Sequence, residues 1–309
     1  MKSPTAKRRK NKSSIEGMKS KAFKCIIIPY AVFMIIFKAF PFLWGIFISF
    51  TNYTGFNLDN LNVVGFNNYV RFFSDSGAIA SMGRSALIAV IVVPISMTIC
   101  IIMSLLLNNA AKGIGIYRTI CYLPAIIPGV AIAMMWQGMF AKTDGFFNQV
   151  IALFGGKYID WLGYAHVRTS LIIMLLWSAG NGVLTNIAAM KCISPELYEA
   201  ADLEGIGPVR KTLKITIPLI SNMLYMNLIT GMIAMLQLFA EPVLLTGGEL
   251  TSMPIKPVYT YIVHVYQQIF VNMRYGYGLA MVWVIFAVII LLTMFAEKTS
   301  KLWVYSEVD

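Results

Sequence analysis

Six long apolar windows constrain the fold of this chain more than any other feature. A helix that crosses the hydrocarbon core of a bilayer needs about 20 consecutive, mostly apolar residues. The windows that meet this requirement are residues 24–50, 79–107, 115–140, 167–190, 218–245 and 277–296. Apolar residues make up 58% of the chain and charged residues 13%, against about 25% charged residues in soluble domains. The sequence therefore predicts an all-α integral membrane protein with a core of six transmembrane helices.

The basic residues predict the orientation of these helices. Nine of the 25 Lys and Arg residues lie within residues 2–24, directly before the first window. With the N-terminus inside, the inner segments hold 17 Lys and Arg residues and the outer loops hold six. The positive-inside rule then places both termini in the cytoplasm. The net charge of +11 is accordingly expected to meet anionic lipid headgroups and not nucleic acid. The expected domains are a basic cytoplasmic tail (1–23), a transmembrane domain (24–300) and a second cytoplasmic tail (301–309).

Residues for chemistry within this chain are scarce. The four cysteines have no CxxC spacing, and the two histidines, His166 and His264, are far apart in sequence. Neither a disulfide framework nor a metal site is expected. An intramembrane enzyme would need a pattern such as HExxH or paired acids in the spans, and neither occurs. The Gly-x-x-x-x-Gly-Lys-Ser/Thr loop that cradles nucleotide phosphates is also missing from the sequence. We therefore expect no catalytic residues and no cofactor bound by this chain.

The inner loop between windows four and five, residues 191–218, has a pattern of its own. Ser194 is a suitable N-cap and Pro195 a suitable first helical residue, while Glu199 follows in an early turn. Gly205 permits the left-handed conformation that ends a helix. The pattern predicts a short surface helix, a glycine hinge and a second helix. That second helix opens at Pro208 and carries an apolar stripe of Val209, Leu213 and Ile217.

The same loop resembles the EAA loop of binding-protein-dependent ABC importer permeases. The family pattern is E-A-A, three residues, G, nine residues, I, one residue, L-P. This chain matches the spacing with Glu199-Ala200-Ala201, Gly205, Ile215 and Ile217-Pro218. It departs from the pattern at Ile217, where the family usually has Leu, and at Ile206, where Ala is common. The first change keeps an apolar contact, and the second enlarges a tight position.

Four further segments resemble the carbohydrate-uptake, multiple-sugar branch of that family. Overall the resemblance covers about residues 25–300. One departure is Glu249, which stands where Pro is common. The segments are Val64–Phe73, Tyr117–Pro124, Trp136 with Gly145–Asn148, and Leu245–Gly248.

This resemblance implies the partners and the coupling residues. A cytoplasmic ATPase dimer would hold ATP and Mg, a second and different permease chain would complete the pathway, and an extracytoplasmic binding protein would deliver a sugar or oligosaccharide. The bacterial cytoplasmic membrane is the implied location. The residues implied to couple to the ATPase are Glu199, Ala200, Ala201, Gly205, Ile215 and Pro218, and those implied to contact the binding protein are Thr246, Gly247 and Gly248.

Polar residues in two spans predict a substrate pathway. Intramembrane polar side chains tend to face the interior of a bundle. Helical spacing places two stripes on adjacent spans, where they are expected to line one cavity; the alternative is that they bond neighbouring helices. Within its window, Glu241 is expected near the outer end. The stripes are Trp177, Asn181 and Thr185 in span four, and Asn227, Thr230, Gln237 and Glu241 in span five.

Two alternative transport functions remain open from the sequence. One is an ABC permease for a non-sugar solute, such as a phosphate ester or an oligopeptide. The other is an ion-coupled secondary carrier. Carriers of that class often show two related halves, and this chain has no clear internal repeat.

Overall fold

The computed structural model describes residues 23–56, 61–108, 113–247 and 256–305. Helices account for almost all regular structure within these ranges, with one isolated β-bridge between Thr51 and Val63. The helices are α1 (Phe23–Ser49), α2 (Asn67–Ser74), α3 (Ser76–Leu107), α4 (Ile114–Ile126), α5 (Gly129–Met139), α6 (Phe146–Leu153), α7 (Val167–Lys191), α8 (Pro195–Leu203), α9 (Pro208–Leu219), α10 (Ser221–Leu236), α11 (Ala240–Leu245), α12 (Tyr261–Tyr266) and α13 (Tyr275–Ser300).

Four helices in the described ranges are each long and apolar enough to cross a membrane: α1, α3, α7 and α13. Two bent pairs, α4 with α5 and α9 with α10, also pass this test when each pair is taken together. The total is six if each pair is one span. The all-helical membrane fold predicted from the apolar windows is confirmed.

The third predicted window is not one straight helix. Its two halves, α4 and α5, meet at an angle of 97°. Ile127 between them is extended, with ψ 131°, and Pro128 follows it. A residue that precedes proline is disfavoured in the helical region, so the break falls at this position.

The fifth predicted window, 218–245, is also wrong as a single helix. Helix α10 starts at Ser221 and ends at Leu236, and the chain returns to helix only at Ala240. At its other end α10 is bent by 70° from α9. A π-helical turn, Thr212–Thr216, ends two residues before Pro218, and another, Ile35–Ala39, ends two residues before Pro41. Proline removes a backbone donor and crowds the preceding turn, which accounts for both wide turns.

The long helix α3 lies at the centre of the bundle and contacts α7, α10 and α12. In one half of the bundle, Ile88 and Val92 pack with residues such as Trp136, Leu171 and Met174. In contrast, none of the most apolar 18-residue window of α1 is buried within this chain. Only its C-terminal part packs on α13, where Phe42 and Trp283 meet edge to face at 4.9 Å between ring centroids.

The segment after α11 lies between the fifth and sixth predicted windows, and its described part is largely buried over residues 257–269. Tyr261, at the start of α12, is fully buried, and its hydroxyl donates to the carbonyl of Met281 at 2.9 Å. The amide of Tyr261 donates to Ser85 Oγ at 2.9 Å. Nearby, Thr260 Oγ1 donates to the carbonyl of Leu238 at 2.7 Å. These bonds wedge α12 between α3 and α13 and satisfy its polar groups away from water.

Candidate translocation cavity and coupling segment

A cavity of about 590 Å³ lies among α3, α7 and α10, with contributions from the starts of α5 and α11. Its α3 residues, from Val92 to Cys100, come from the middle of that helix, so the cavity lies well inside the bundle. The volume falls within the range of about 300–1,000 Å³ that is usual for small-molecule sites.

Two asparagines from facing helices form the polar centre of the cavity. Asn227 on α10 donates through Nδ2 to Asn186 Oδ1 on α7, at 2.9 Å. Asn186 is 0% exposed, yet its own Nδ2 finds no acceptor among the described residues. A buried donor without an acceptor costs about 1–3 kcal/mol, so it requires an explanation.

Three hydroxyl side chains of the cavity donate their only proton to backbone carbonyls of their own helices. Ser96 donates to the carbonyl of Val93 at 2.9 Å, Thr185 to that of Gly182 at 2.9 Å, and Thr230 to that of Met226 at 2.8 Å. A hydroxyl carries one donor and two acceptor sites. Each of these oxygens therefore offers the cavity an acceptor.

Glu241 also lines this cavity. It lies near the start of α11, which begins at Ala240, after the break that follows the end of α10 at Leu236. Its Oε1 lies 3.5 Å from the position that a Cβ on Gly129 would take, at the first residue of α5. The carboxylate thus lies beside a helix N-terminus, where the helix dipole favours negative charge.

The remaining pathway candidates lie elsewhere. Trp177 packs edge to face against Trp136, with ring centroids 6.0 Å apart, and is not in the cavity wall. Gln237 follows the end of α10 and is exposed outside the cavity. Asn181 lies in the 3₁₀ turn Ser178–Gly182 within α7, and its side chain falls outside the described part of the chain. Thr185, Asn227, Thr230 and Glu241 are therefore the predicted residues that the fold brings together.

Asn186 was missed because it does not fall on the predicted stripe of i, i+4, i+8 residues. The 3₁₀ turn inside α7 changes the register, so that both Thr185 and its neighbour Asn186 reach the cavity. A tighter helix has about three residues per turn and rotates the following side chains. The facing asparagine on α10 is the only sequence signal that points to it.

At one end of the bundle, helix α8 is terminated by Gly205, as the sequence predicts. Gly205 has φ +70°, its amide donates to the carbonyl of Asp202 at 3.0 Å, and the amide of Ile206 donates to that of Ala201 at 2.9 Å. This pair of bonds around a left-handed residue is a Schellman motif. Pro195 begins α8 as predicted; Ser194 precedes it but makes no side-chain cap.

The two sides of α8 differ. On one side Ala201 is 4% exposed, the Tyr198 hydroxyl lies 2.9 Å from Thr216 Oγ1, and Asp202 pairs with Lys211 of α9. On the other side Glu199, Ala200 and Leu203 are exposed, Leu203 by 90%. Ala201 therefore packs within this chain and does not share the outward face of Ala200.

Helix α9 departs from a regular amphipathic helix. Val209 and Leu213 are exposed, while Ile217 is half-buried against the cluster of Met190, Ile220 and Leu224. The π-helical turn Thr212–Thr216 shifts the register between them, because a π turn has more residues than an α turn. Two further coupling candidates, Ile215 and Pro218, are half-buried.

The predicted outer contact loop is only partly described. Thr246 donates its hydroxyl to the carbonyl of Pro242 at 3.0 Å, within its own helix end. Gly247 has φ +66°, and a Cβ there would collide with the side-chain amide of Gln137. Gly248 lies outside the described residues.

At the end of the bundle opposite α8, a buried polar network joins three elements. Asp75 caps α3 by accepting from the amide of Ala78 at 3.0 Å, accepts from the Tyr277 hydroxyl at 2.8 Å, and lies 3.5 Å from His264 Nε2 of α12. His264 Nδ1 lies 2.9 Å from the Tyr259 hydroxyl. This network closes the bundle around α12.

The network also sets the protonation of its two charged groups. Burial alone would raise the pKa of the Asp75 carboxyl, but the hydrogen bonds from Tyr277 and Ala78, with His264 nearby, hold it below its usual value. Burial lowers the pKa of the His264 imidazole, and Asp75 offsets this only in part. The fold thus favours a neutral His264 beside an ionised Asp75.

The fold is thus a helical bundle of membrane-spanning length, with a mostly apolar cavity that contains a few polar groups and an exposed short helix on an end loop. Residues 96–300 match the family described as "Binding-protein-dependent transport system inner membrane component". The chain therefore belongs to this family, the permeases of binding-protein-dependent ABC importers. It is a multi-pass inner-membrane component without catalysis of its own, and ATP is hydrolysed by a partner.

Individual relatives agree with this assignment. The chain is 30% identical over 285 residues to the probable ABC transporter permease protein YesP of Bacillus subtilis (strain 168), covering 91% of each chain. It is 29% identical to the diacetylchitobiose uptake system permease protein NgcF of Streptomyces coelicolor, covering 82% of this chain and 74% of that one. A crystal structure of a bacterial ABC transporter involved in the import of the acidic polysaccharide alginate matches with a TM-score of 0.80 at 19% identity, covering 94% of this chain and 98% of the other.

Proposed function

We propose that this chain is one of two permease subunits that move a sugar or oligosaccharide from an extracytoplasmic binding protein into the cytoplasm. The observation that carries the proposal is the cavity between α7 and α10, with its Asn186–Asn227 pair and acceptor hydroxyls. Sugars carry many hydroxyl groups, and such a surface suits them. The name of the relative NgcF supports the same solute class.

In this proposal α8 is the coupling helix. Its exposed face, Glu199, Ala200 and Leu203, would lie in a groove of a cytoplasmic ATPase dimer that holds ATP and Mg. Tyr198 and Asp202 on the other face tie α8 to α9, which continues into α10 through the 70° bend. A shift of α8 would therefore move α10, which lines the cavity. Gly205, Ile215 and Pro218 would keep the geometry of this connection.

The orientation follows from the same arrangement. With α8 on the cytoplasmic side, both terminal tails (1–23 and 301–309) are also cytoplasmic, and Thr246, Gly247 and Gly248 lie on the side of the binding protein. The exposed apolar surface of α1 would meet lipid or the second permease, which we propose is a different chain. The basic residues near the N-terminus support this orientation.

The test is reconstitution of the complete transporter in liposomes. A thermal-shift screen of the cognate binding protein first identifies the solute; stabilisation by saccharides, and not by peptides or phosphate esters, is expected. Uptake of that saccharide should require ATP, the ATPase and the binding protein. Transport by this chain alone without ATP would contradict the proposal and favour an ion-coupled carrier.

A further inference from the structure

We infer that Glu241 makes the cavity selective for neutral saccharides and against anionic ones, such as uronic acid oligomers. This inference rests on the proposed function, because it names the solute class of the same cavity. It is carried by the charge of one residue and by the direction of the hydrogen bonds around it.

The first observation is the negative charge that Glu241 brings to the cavity wall. Glu241 contributes a carboxylate to the wall of a cavity that is mostly apolar, and the described wall residues include no Lys, Arg or His. In such surroundings water screens charge poorly, and a second negative group nearby is repelled much more strongly than in water. A uronate carboxylate that enters this space therefore meets a like charge.

The hydrogen bonds of the cavity wall also favour a neutral solute over an anionic one. Ser96, Thr185 and Thr230 have each given their proton to a backbone carbonyl, so that they offer only oxygen lone pairs. Together with Glu241, these groups make the wall rich in acceptors. A neutral sugar brings a hydroxyl proton to each of them, whereas a carboxylate brings only acceptors.

Neutral amide groups supply the donors of the wall. Asn186 Nδ2 has no acceptor in the described chain, and Asn227 Nδ2 gives only one of its two protons to Asn186, which leaves the other for a hydroxyl or ring oxygen. Neutral amide donors are weaker than the bidentate arginine contact by which proteins usually hold carboxylates. The site therefore recognises hydroxyl groups more readily than it compensates a negative charge.

The experiment measures the potential inside the cavity of the complete transporter, so that the partner permease contributes as it does in the cell. The four native cysteines, Cys25, Cys100, Cys121 and Cys192, are replaced by serine, and Thr185→Cys places one thiol in the cavity wall. Its reaction rates with a trimethylammonium and a sulfonate methanethiosulfonate reagent are compared. We expect the cationic reagent to react faster, relative to its rate with free thiol, by about tenfold or more.

The matched variants are Glu241→Gln and Glu297→Gln. The first should reduce the ratio of the two rates by about tenfold, whereas the second removes an equal charge from an exposed position of α13 outside the cavity and should leave the ratio unchanged. A second arm compares trigalacturonate with its methyl ester as protectants of the same thiol. The ester should protect better, and Glu241→Gln should narrow the difference.

Three results would overturn the inference. The first two are equal rates for the two reagents, each relative to its rate with free thiol, in the Thr185→Cys chain that retains Glu241, and a ratio of rates that Glu241→Gln leaves unchanged. The third is better protection by the free acid than by its ester. None of these results bears on ATP-dependent sugar uptake, so failure of the selectivity and failure of the proposed function remain distinguishable.

Discussion

Two regions of the molecule each bury an asparagine completely, and they treat it in opposite ways. In helix α6, Asn148 Nδ2 donates to the carbonyls of Lys142 and Ile159, at 2.9 and 2.8 Å. Its Oδ1 accepts from the Ile159 amide and from Trp161 Nε1, at 3.0 and 3.1 Å. In the cavity, Asn186 accepts from Asn227 but leaves its Nδ2 without an acceptor in the described chain.

The difference separates a structural polar residue from one that is available to a ligand. Asn148 satisfies itself within the fold, as buried polar groups generally do. Asn186 keeps an unsatisfied donor at the wall of the cavity. The two ends of the bundle show a similar contrast. The polar side chains of the Asp75–His264 network contact one another, whereas α8 leaves the apolar side chain of Leu203 exposed.

The largest effect is expected for Asn148→Leu. This change keeps a similar volume but leaves two carbonyls, one amide and one indole N–H without their partner. Because each unsatisfied buried group costs about 1–3 kcal/mol, we expect the free energy of unfolding to fall by about 3–5 kcal/mol. Thermal unfolding of the purified chain in detergent measures this loss. A stability within about 1 kcal/mol of wild type would contradict the structural role of Asn148.

The matched change in the cavity, Asn186→Leu, should have little effect on stability and a large effect on uptake. It removes a donor that has no acceptor in the described chain, which offsets the loss of the bond from half-buried Asn227, so stability should change by less than about 1 kcal/mol. Uptake should fall by about tenfold or more, because the solute loses a hydrogen-bond partner and Asn227 loses its own. Normal uptake together with a large loss of stability would show that Asn186 has a structural role like that of Asn148, and would contradict the comparison.

A smaller effect is expected at the hinge after α8. Gly205→Val places a β-branched residue at φ +70°, which costs about 1–2 kcal/mol, and should reduce uptake about fivefold to tenfold. Gly207→Val is the control, because Gly207 has φ −66° and ψ 161°, which valine readily adopts. A Cβ meets nothing within 4 Å at either position. Equal uptake by the two variants, at equal levels in the membrane, would argue against a conformational role for Gly205.

The smallest effect concerns pH at the opposite end of the bundle. Since burial lowers the pKa of His264 below that of the unfolded chain, about 6.5, the unfolded state takes up its proton first. Stability is therefore complete above that value and is lost as the pH falls through it towards the folded pKa. The melting temperature should be lower at pH 5.5 than at pH 7.5.

His264→Gln should reduce this difference in melting temperature. Asp75 should not contribute between these two pH values, because its pKa lies below its usual value of 3.8 in the fold. A larger pH dependence in the His264→Gln variant would show that another group is responsible.

The sequence predicts the regular parts of this fold well. Runs of apolar residues and the helix signals at Pro195 and Gly205 act locally, and the structure follows them. The breaks between helices were harder to predict, because a proline within an apolar run is compatible with a kink or with a continuous helix. Helix α3 passes through Pro94, whereas the chain turns by 97° at Pro128.

Segments held by distant partners could not be predicted. Helix α12, Tyr261–Tyr266, lies in a short segment between two predicted spans, yet it is buried because Tyr261 bonds to Ser85 and Met281. In the cavity, Thr185, Asn227, Thr230 and Glu241 were predicted from helical spacing, and Asn186 was not, because a 3₁₀ turn shifts its register.

The central claim is that α8 transmits the action of a separate ATPase to the cavity, and photo-crosslinking tests it most directly. Benzoylphenylalanine replaces Leu203 in the complete transporter, and Phe56, which is 78% exposed at the opposite end of the bundle, serves as the control position. We predict that the probe at 203 crosslinks to the ATPase, that its yield changes when ATP and vanadate are added, and that the probe at 56 never captures the ATPase. Crosslinks from 203 to lipid alone, or to the binding protein, would contradict the account.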